Sequence, residues 1–223
     1  MPHLPLMINK FSKIILIFLL VLSGLILFHR PILIGAGTFL APTTNKSAEV
    51  LILEGTQTVK RSALKTGITL LSDGRANRMI VVLHSPLKEG EVFALPKEHP
   101  QFLIDELVRL GLKKEKAAII SAPIPGHPVT LSEARFVADS LSKEGVRSAI
   151  LVSEGFHTRR SFSLYQQEGK RLGLHVFPCS NFTEYKSDSW WTDTQGLSDF
   201  LGESVKLSYY LLRGYLSMGA LWN

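Results

Sequence analysis

Residues 149–161 read AILVSEGFHTRRS, and the fold turns on how this stretch is parsed. A short apolar run ends at Ser153, Glu154 and Gly155 supply a turn, and His157, Arg159 and Arg160 open a segment of helical composition. Strand, tight turn and charged helix start in succession are the signature of an α/β protein, where loops at the carboxyl ends of strands display reactive groups. A helix beginning near His157 places its free N–H groups and positive dipole end beside two guanidiniums, a setting that attracts an anion.

The same grammar repeats on both sides. Residues 49–53 are a brief apolar run bounded by Glu54 and Gly55, and residues 59–72 carry apolar positions at helical spacing up to Asp73-Gly74. Residues 78–83 form a second apolar run. A loop over 86–96, an amphipathic helix over 101–110, a strand over 117–121 and a proline-rich turn over 122–129 follow. Thr130 to Glu133 has the spacing of a capping box for a helix reaching Lys143. The strand over 147–152, the helix opened by His157 and a last strand over 175–177 complete a doubly wound, mainly parallel, Rossmann-like sheet of about five strands. Residues 197–216 predict one more helix, packed across the sheet.

With 223 residues and a hydrophobic fraction of 45%, the chain can bury a full core, which argues for one domain plus an appendage and against disorder. The formal charge of +6 suits an anionic partner: nucleic acid, a membrane surface or a phosphorylated small molecule. No basic run with interleaved aromatics and no helix-turn-helix or zinc-finger spacing occurs, so nucleic acid is set aside. The lone Cys179 rules out an internal disulfide and a CxxC site.

The appendage is amino-terminal. Residues 14–28 are uncharged and apolar, Lys10 and Lys13 precede them, and after His29-Arg30 apolar residues resume through Leu40. This pattern predicts one membrane-spanning anchor, with a cleaved signal peptide as the competing reading because residues 35–37 are small. Either way the remainder is exported. As an anchor it leaves residues 1–47 as cytoplasmic terminus, span and linker, and 48–223 as the domain facing outward from the cytoplasmic membrane.

In an open parallel sheet the loops after the strands share one rim. That rim gathers Glu54 and Gly55 after the first strand, Thr130 and Glu133 after the third, and His157, Arg159 and Arg160 after the fourth. Acid, base and anion clamp then occupy one cleft, as phosphoryl or acyl chemistry requires. Glu133 has a simpler reading as a capping-box residue, and of two adjacent arginines about 100° apart one can clamp a ligand while its neighbour faces solvent. His84 and His127 are weaker candidates. Metal motifs and a GxSxG nucleophile elbow are absent, and no cofactor is indicated. The Trp190-Trp191 pair reads first as core packing.

Residues 50–55 (VLILEG), 130–134 (TLSEA), 157–161 (HTRRS), and Trp190-Trp191 with Gly196 and Glu203 occur in an order that resembles the YdcF-like family, which includes the SanA and ElyC types. The closest resemblance is to the branch with a His-x-Arg-Arg-Ser motif and a double tryptophan. It covers roughly 48–215 and implies a Rossmann-like exported domain, a role in envelope biogenesis, and peptidoglycan precursors or polyprenyl phosphate as substrate class. It implies no settled reaction. Val129 stands where that branch carries an arginine, so an expected ligand contact is either lost or supplied by Arg75 or Lys60. Three functions stay open: an enzyme or carrier-handling protein acting on an envelope phosphate, a non-catalytic module for a nucleotide-like ligand such as S-adenosylmethionine, and an envelope scaffold.

Overall fold

The computed structural model describes residues 10–55, 59–85, 99–123 and 126–222. The expected 86–96 loop and part of the proline-rich turn lie outside them. Two compact units are present, residues 1–36 and residues 37–223. Residues 37–40, the end of the first helix, fall in the second unit, where a Cβ on Gly37 would sit 2.7 Å from the Trp190 indole nitrogen.

The first unit consists of most of helix α1 (Lys10–Leu40). No single helix among the described residues is long and apolar enough to cross a membrane; the segments Lys10–Gly24 and Leu27–Leu40 meet that test only as a pair bent by 56°. Ser23 and Gly24 stand at the break, and the Ser23 hydroxyl donates to the Leu19 carbonyl, a back-bond that bends helices.

The second unit alternates β1 (Val50–Glu54), α2 (Arg61–Ser72), β2 (Arg78–Ser85), α3 (His99–Arg109), β3 (Ala117–Pro123), α4 (Val129–Lys143), β4 (Ser148–Glu154), α5 (His157–Lys170) and β5 (His175–Asn181), then ends with α6 (Thr194–Leu212). All strand pairs are parallel in the order β3-β2-β1-β4-β5. The five parallel strands and flanking helices are as expected for an α/β protein. β5 continues to Asn181 through Pro178 because it is an edge strand, where a missing N–H leaves no ladder bond unmade on the open side.

Alternation along the strands divides the core into two layers. Leu51, Leu53, Met79, Val81, Ile150 and Val152 pack with Leu64 and Leu71 of α2 and Leu103 and Leu107 of α3. The intervening residues Ile52, Ile80, Val82 and Leu151 are fully buried on the other face, toward α4 and α5. β1 and β4 are neighbours whose following helices leave for opposite faces, which opens a crevice at their carboxyl ends. Gly155 makes the turn there with φ +44°, a left-handed conformation that a side chain disfavours.

α6 begins three residues earlier than its apolar pattern because Asp193 caps it, accepting from the N–H groups of Gln195 and Gly196 at 2.9 and 3.0 Å. It packs against α5 and the 190–192 turn rather than across the sheet. Trp190 is buried there, stacked on Phe200 at 4.0 Å and edge-on to Phe156.

Candidate functional site

The crevice between the ends of β1 and β4 holds a cavity of about 410 Å³ lined by Glu54, Lys60, His84, Glu133, His157, Arg160, Glu203 and Lys206, among others. A second hollow of about 510 Å³ shares Lys60, Glu154, His157, Glu203 and Lys206 with it. The first turn of α5 supplies the centre. His157, Arg160 and Ser161 stand at i, i+3 and i+4, one face of the helix, and that face meets the end of β1.

The contacts form one connected network. Ser161 Oγ donates to Glu54 Oε1, and His157 Nε2 lies 3.4 Å from the same oxygen. On its other side His157 Nδ1 is 3.4 Å from Glu203 Oε2 and 2.8 Å from Arg160 Nη2. Arg160 donates from Nε to Glu203 Oε2 at 2.9 Å, from Nη2 to Glu203 Oε1 at 3.2 Å, and from Nη1 to Thr130 Oγ1 at 2.9 Å. Its guanidinium also lies 4.9 Å from the centre of the Tyr210 ring. Lys206 reaches Glu203 Oε1 at 2.9 Å, while Lys60 bridges Glu154 at 3.1 Å and Glu184 at 2.8 Å. Glu133, buried beneath, accepts from Tyr165 at 2.7 Å and touches His84 Nε2.

Electrostatics separates the two deep carboxyls. Burial pushes Glu54 upward, but the charge and hydrogen bond of His157, with help from the Ser153 and Ser161 hydroxyls, hold it below the ordinary carboxylate range. Glu133 goes the other way: burial raises it, the nearby Glu54 charge adds to the rise, and hydrogen bonds from His84 and Tyr165 only partly offset both. Glu203 is held well below its usual value because His157 and Arg160 outweigh its burial. For His157, burial favours the neutral ring and the Arg160 contact calls for a lone pair on Nδ1. A carboxylate at each ring nitrogen outweighs both, so its pKa rises from 6.5 to about 9. At neutral pH the cleft therefore pairs a charged imidazole with an ionised Glu54, above a Glu133 biased toward its acid form.

Six of the seven residues nominated from the sequence converge on this region, with different roles. Glu54, Glu133, His157, Arg160 and Thr130 line the cavity. Glu133 is not a capping-box residue: α4 starts at Val129 behind Pro128, no side chain caps it, and the carboxyl turns inward. Thr130 is not an N-cap either, and its hydroxyl serves Arg160. Gly55 acts by lacking a side chain, since a Cβ would sit 2.6 Å from the Val82 carbonyl oxygen. Arg159 is a correction. It points out of the cleft, donating to the carbonyls of Phe39 and Leu221 and stacking on the Phe39 ring at 4.7 Å, because one helical step rotates it away from the His157–Arg160 face. Of the two proposed substitutes for the arginine missing at Val129, Lys60 lines the cavity with Val129, whereas Arg75 binds the carbonyls of Thr44 and Lys46, before β1.

Three contributors were not nominated as site residues: Glu203, Lys206 and His84. His84 reaches the cleft because β2 runs two residues past its apolar stretch. Glu203 and Lys206 stand at i and i+3 on α6; the family-like pattern includes Glu203 but gives it no role, and no pattern marks Lys206. No cluster of three or more His, Cys, Asp or Glu suited to a metal ion occurs among the described residues. No protein-family model matches the chain, and no curated protein matches it in sequence.

Proposed function

We propose that this chain is a YdcF-like protein of the cell envelope, held in the cytoplasmic membrane by its amino-terminal apolar helix with the Rossmann-like domain on the outer side. Its cleft binds or processes a phosphate-bearing intermediate, either polyprenyl phosphate or a peptidoglycan precursor. The observation that supports this reading is the meeting of Lys60, Lys206, His157 and Arg160 in one cavity at the crevice between β1 and β4.

The four cations divide the work. Arg160 is 6% exposed and its donors already engage Glu203 and Thr130, so it holds Glu203 against the imidazole instead of meeting the ligand first. The ammonium groups of Lys60 and Lys206 belong to side chains that are 48% and 59% exposed, and they are the groups that can swing onto a phosphate. A ring that stays charged to about pH 9 enters the cycle as an acid or a fixed positive charge, not as a base. Glu133, the carboxyl biased toward protonation, is the second proton source.

The test uses the full chain purified in detergent and titrated with polyprenyl phosphate. Binding is expected, with a loss of tenfold or more in the Lys60→Ala/Lys206→Ala double variant, and envelope function should fail in His157→Ala. No binding of polyprenyl phosphate or a nucleotide-linked sugar, with envelope function intact in His157→Ala, sinks the reading. The carboxylates Glu54, Glu154 and Glu203 in the same walls favour a second one, a non-catalytic module for a cationic nucleotide such as S-adenosylmethionine. Binding of that compound, with His157→Ala fully functional, would select it.

A further inference from the structure

Helix α6 presents to solvent a side that is not polar. Leu197, Leu201, Val205 and Leu212 fall in one sector of the helix with Tyr209 at its margin, and they are 41%, 61%, 69%, 87% and 50% exposed. The opposite side, Glu203, Leu207 and Tyr210, is buried, so the apolar row points away from the domain. Only Ser208, whose hydroxyl is turned back onto the Ser204 carbonyl, interrupts the row between Val205 and Leu212, and apolar groups aligned along a nineteen-residue helix are an interaction surface, unlike apolar residues scattered singly.

Charge and continuity identify what covers it. The acidic side chains of α6 are Asp199, engaged by Tyr185 and Gln195, and the buried Glu203; neither lies in the row. Lys206 and Arg213 lie along one edge of it, beyond Tyr209. The tail after α6 also exposes Met218 and Trp222, by 62% and 75%. The Trp222 ring lies 5.8 Å from Phe39, in the last turn of α1, so the chain leaves its long apolar helix and enters the domain beside this tail. A second copy packed on the same row by two-fold symmetry would bring its own flanking bases to a face that has no acid to meet them. An apolar row with flanking cations and aromatic margins is the composition of a helix lying in a membrane interface.

We propose that α6 lies in the plane of an anionic bilayer surface, with the Leu197–Leu212 row sunk into the headgroup–acyl boundary. This rests on the reading of the chain as membrane-held and adds that the domain itself touches lipid. Lys206, which both flanks the row and lines the cleft, then stands at headgroup level, where a lipid-linked phosphate arrives.

The experiment labels Leu201→Cys with an environment-sensitive fluorophore in the full chain, reconstituted into vesicles of phosphatidylcholine and phosphatidylglycerol. Lys143→Cys on α4, whose side chain is 75% exposed, is the control. Cys179 is buried and escapes the label. The Leu201 site should give blue-shifted, several-fold brighter emission that brominated acyl chains quench, while the Lys143 site stays water-like. Water-like emission at both sites, in protein that resists alkaline extraction, overturns the docking of α6 and leaves the anchor standing. Release of the protein by alkaline extraction overturns the membrane-held reading itself. A disulfide-linked dimer through unlabelled Leu201→Cys, with no lipid quenching, assigns the row to self-association and overturns the proposal.

Discussion

Glu203 accepts from Arg160 through both oxygens, from Lys206 through one, and lies within 3.4 Å of His157 Nδ1, so three cations lean on one carboxylate. Replacing it with Gln leaves Arg160 charged and buried without its counter-ion, a loss of about 3–5 kcal/mol for buried pairs broken on one side. The same change withdraws one of the two charges that hold the imidazole proton. In Glu203→Gln the His157 pKa should fall from about 9 toward 6.5, read by NMR titration of the ring alongside thermal unfolding. A ring still titrating near 9 would assign its proton to Glu54 alone. His157, Arg160 and Glu54 were legible because each follows a strand that announces itself by apolar composition. Glu203 was marked only as part of the family-like pattern, and its role in the cleft was not legible, since it meets Arg160 across 43 residues and its neighbours on α6 show no chemistry-bearing spacing. Arg159 was misassigned for the opposite reason: the motif names two adjacent arginines, but only the helix phase says which one turns inward.

Among elements, α5 and α6 set the cleft by how closely they are seated. α6 begins over the backbone of Trp190: a Cβ on Gly196 would lie 2.4 Å from the Trp190 carbonyl oxygen. Backbone cannot yield as a flexible side chain does, so Gly196→Ala must shift the start of the helix, at about 1–3 kcal/mol, the usual range for overpacking. Because Glu203 and Lys206 ride on the same helix, the variant should also weaken phosphate binding although it lies outside the cleft. Chemical denaturation with a parallel binding titration checks both effects, and lost stability with unchanged affinity would show that α6 settles back without disturbing its inner face. The existence and type of the elements could be read from periodicity, while their ends could not. α4 starts at Val129 because the chain turns at Pro128, and β2 carries His84 because parallel pairing with β3 extends to Ser85. The first endpoint is local, and only the second depends on a partner elsewhere in the chain.

For the whole molecule, the alternation of strands and helices sufficed to predict a parallel doubly wound sheet, since crossover handedness and burial leave few other ways to pack such a chain. It did not reveal that two buried carboxylates hold the His157 ring charged. A shift of His157 from 6.5 to about 9 is equivalent to about 3 kcal/mol of stabilisation. A raised histidine pKa makes that contribution full below 6.5 and removes it as pH rises through about 9. Glu203, with a lowered pKa, contributes above the ordinary carboxylate range and loses it in acid. The melting temperature should therefore decline from pH 6.5 to 9, and the decline should flatten in His157→Gln; an equal slope in both proteins would place the titrating group elsewhere. Arg159 bears on the molecule in another way. Its guanidinium fastens the carbonyl of Phe39, where the chain enters the domain, to that of Leu221, in the tail after α6, and the next residue is Arg160 in the cleft. One residue at the first turn of α5 thus ties the entry and exit segments of the domain together, while its neighbour Arg160 faces the cleft.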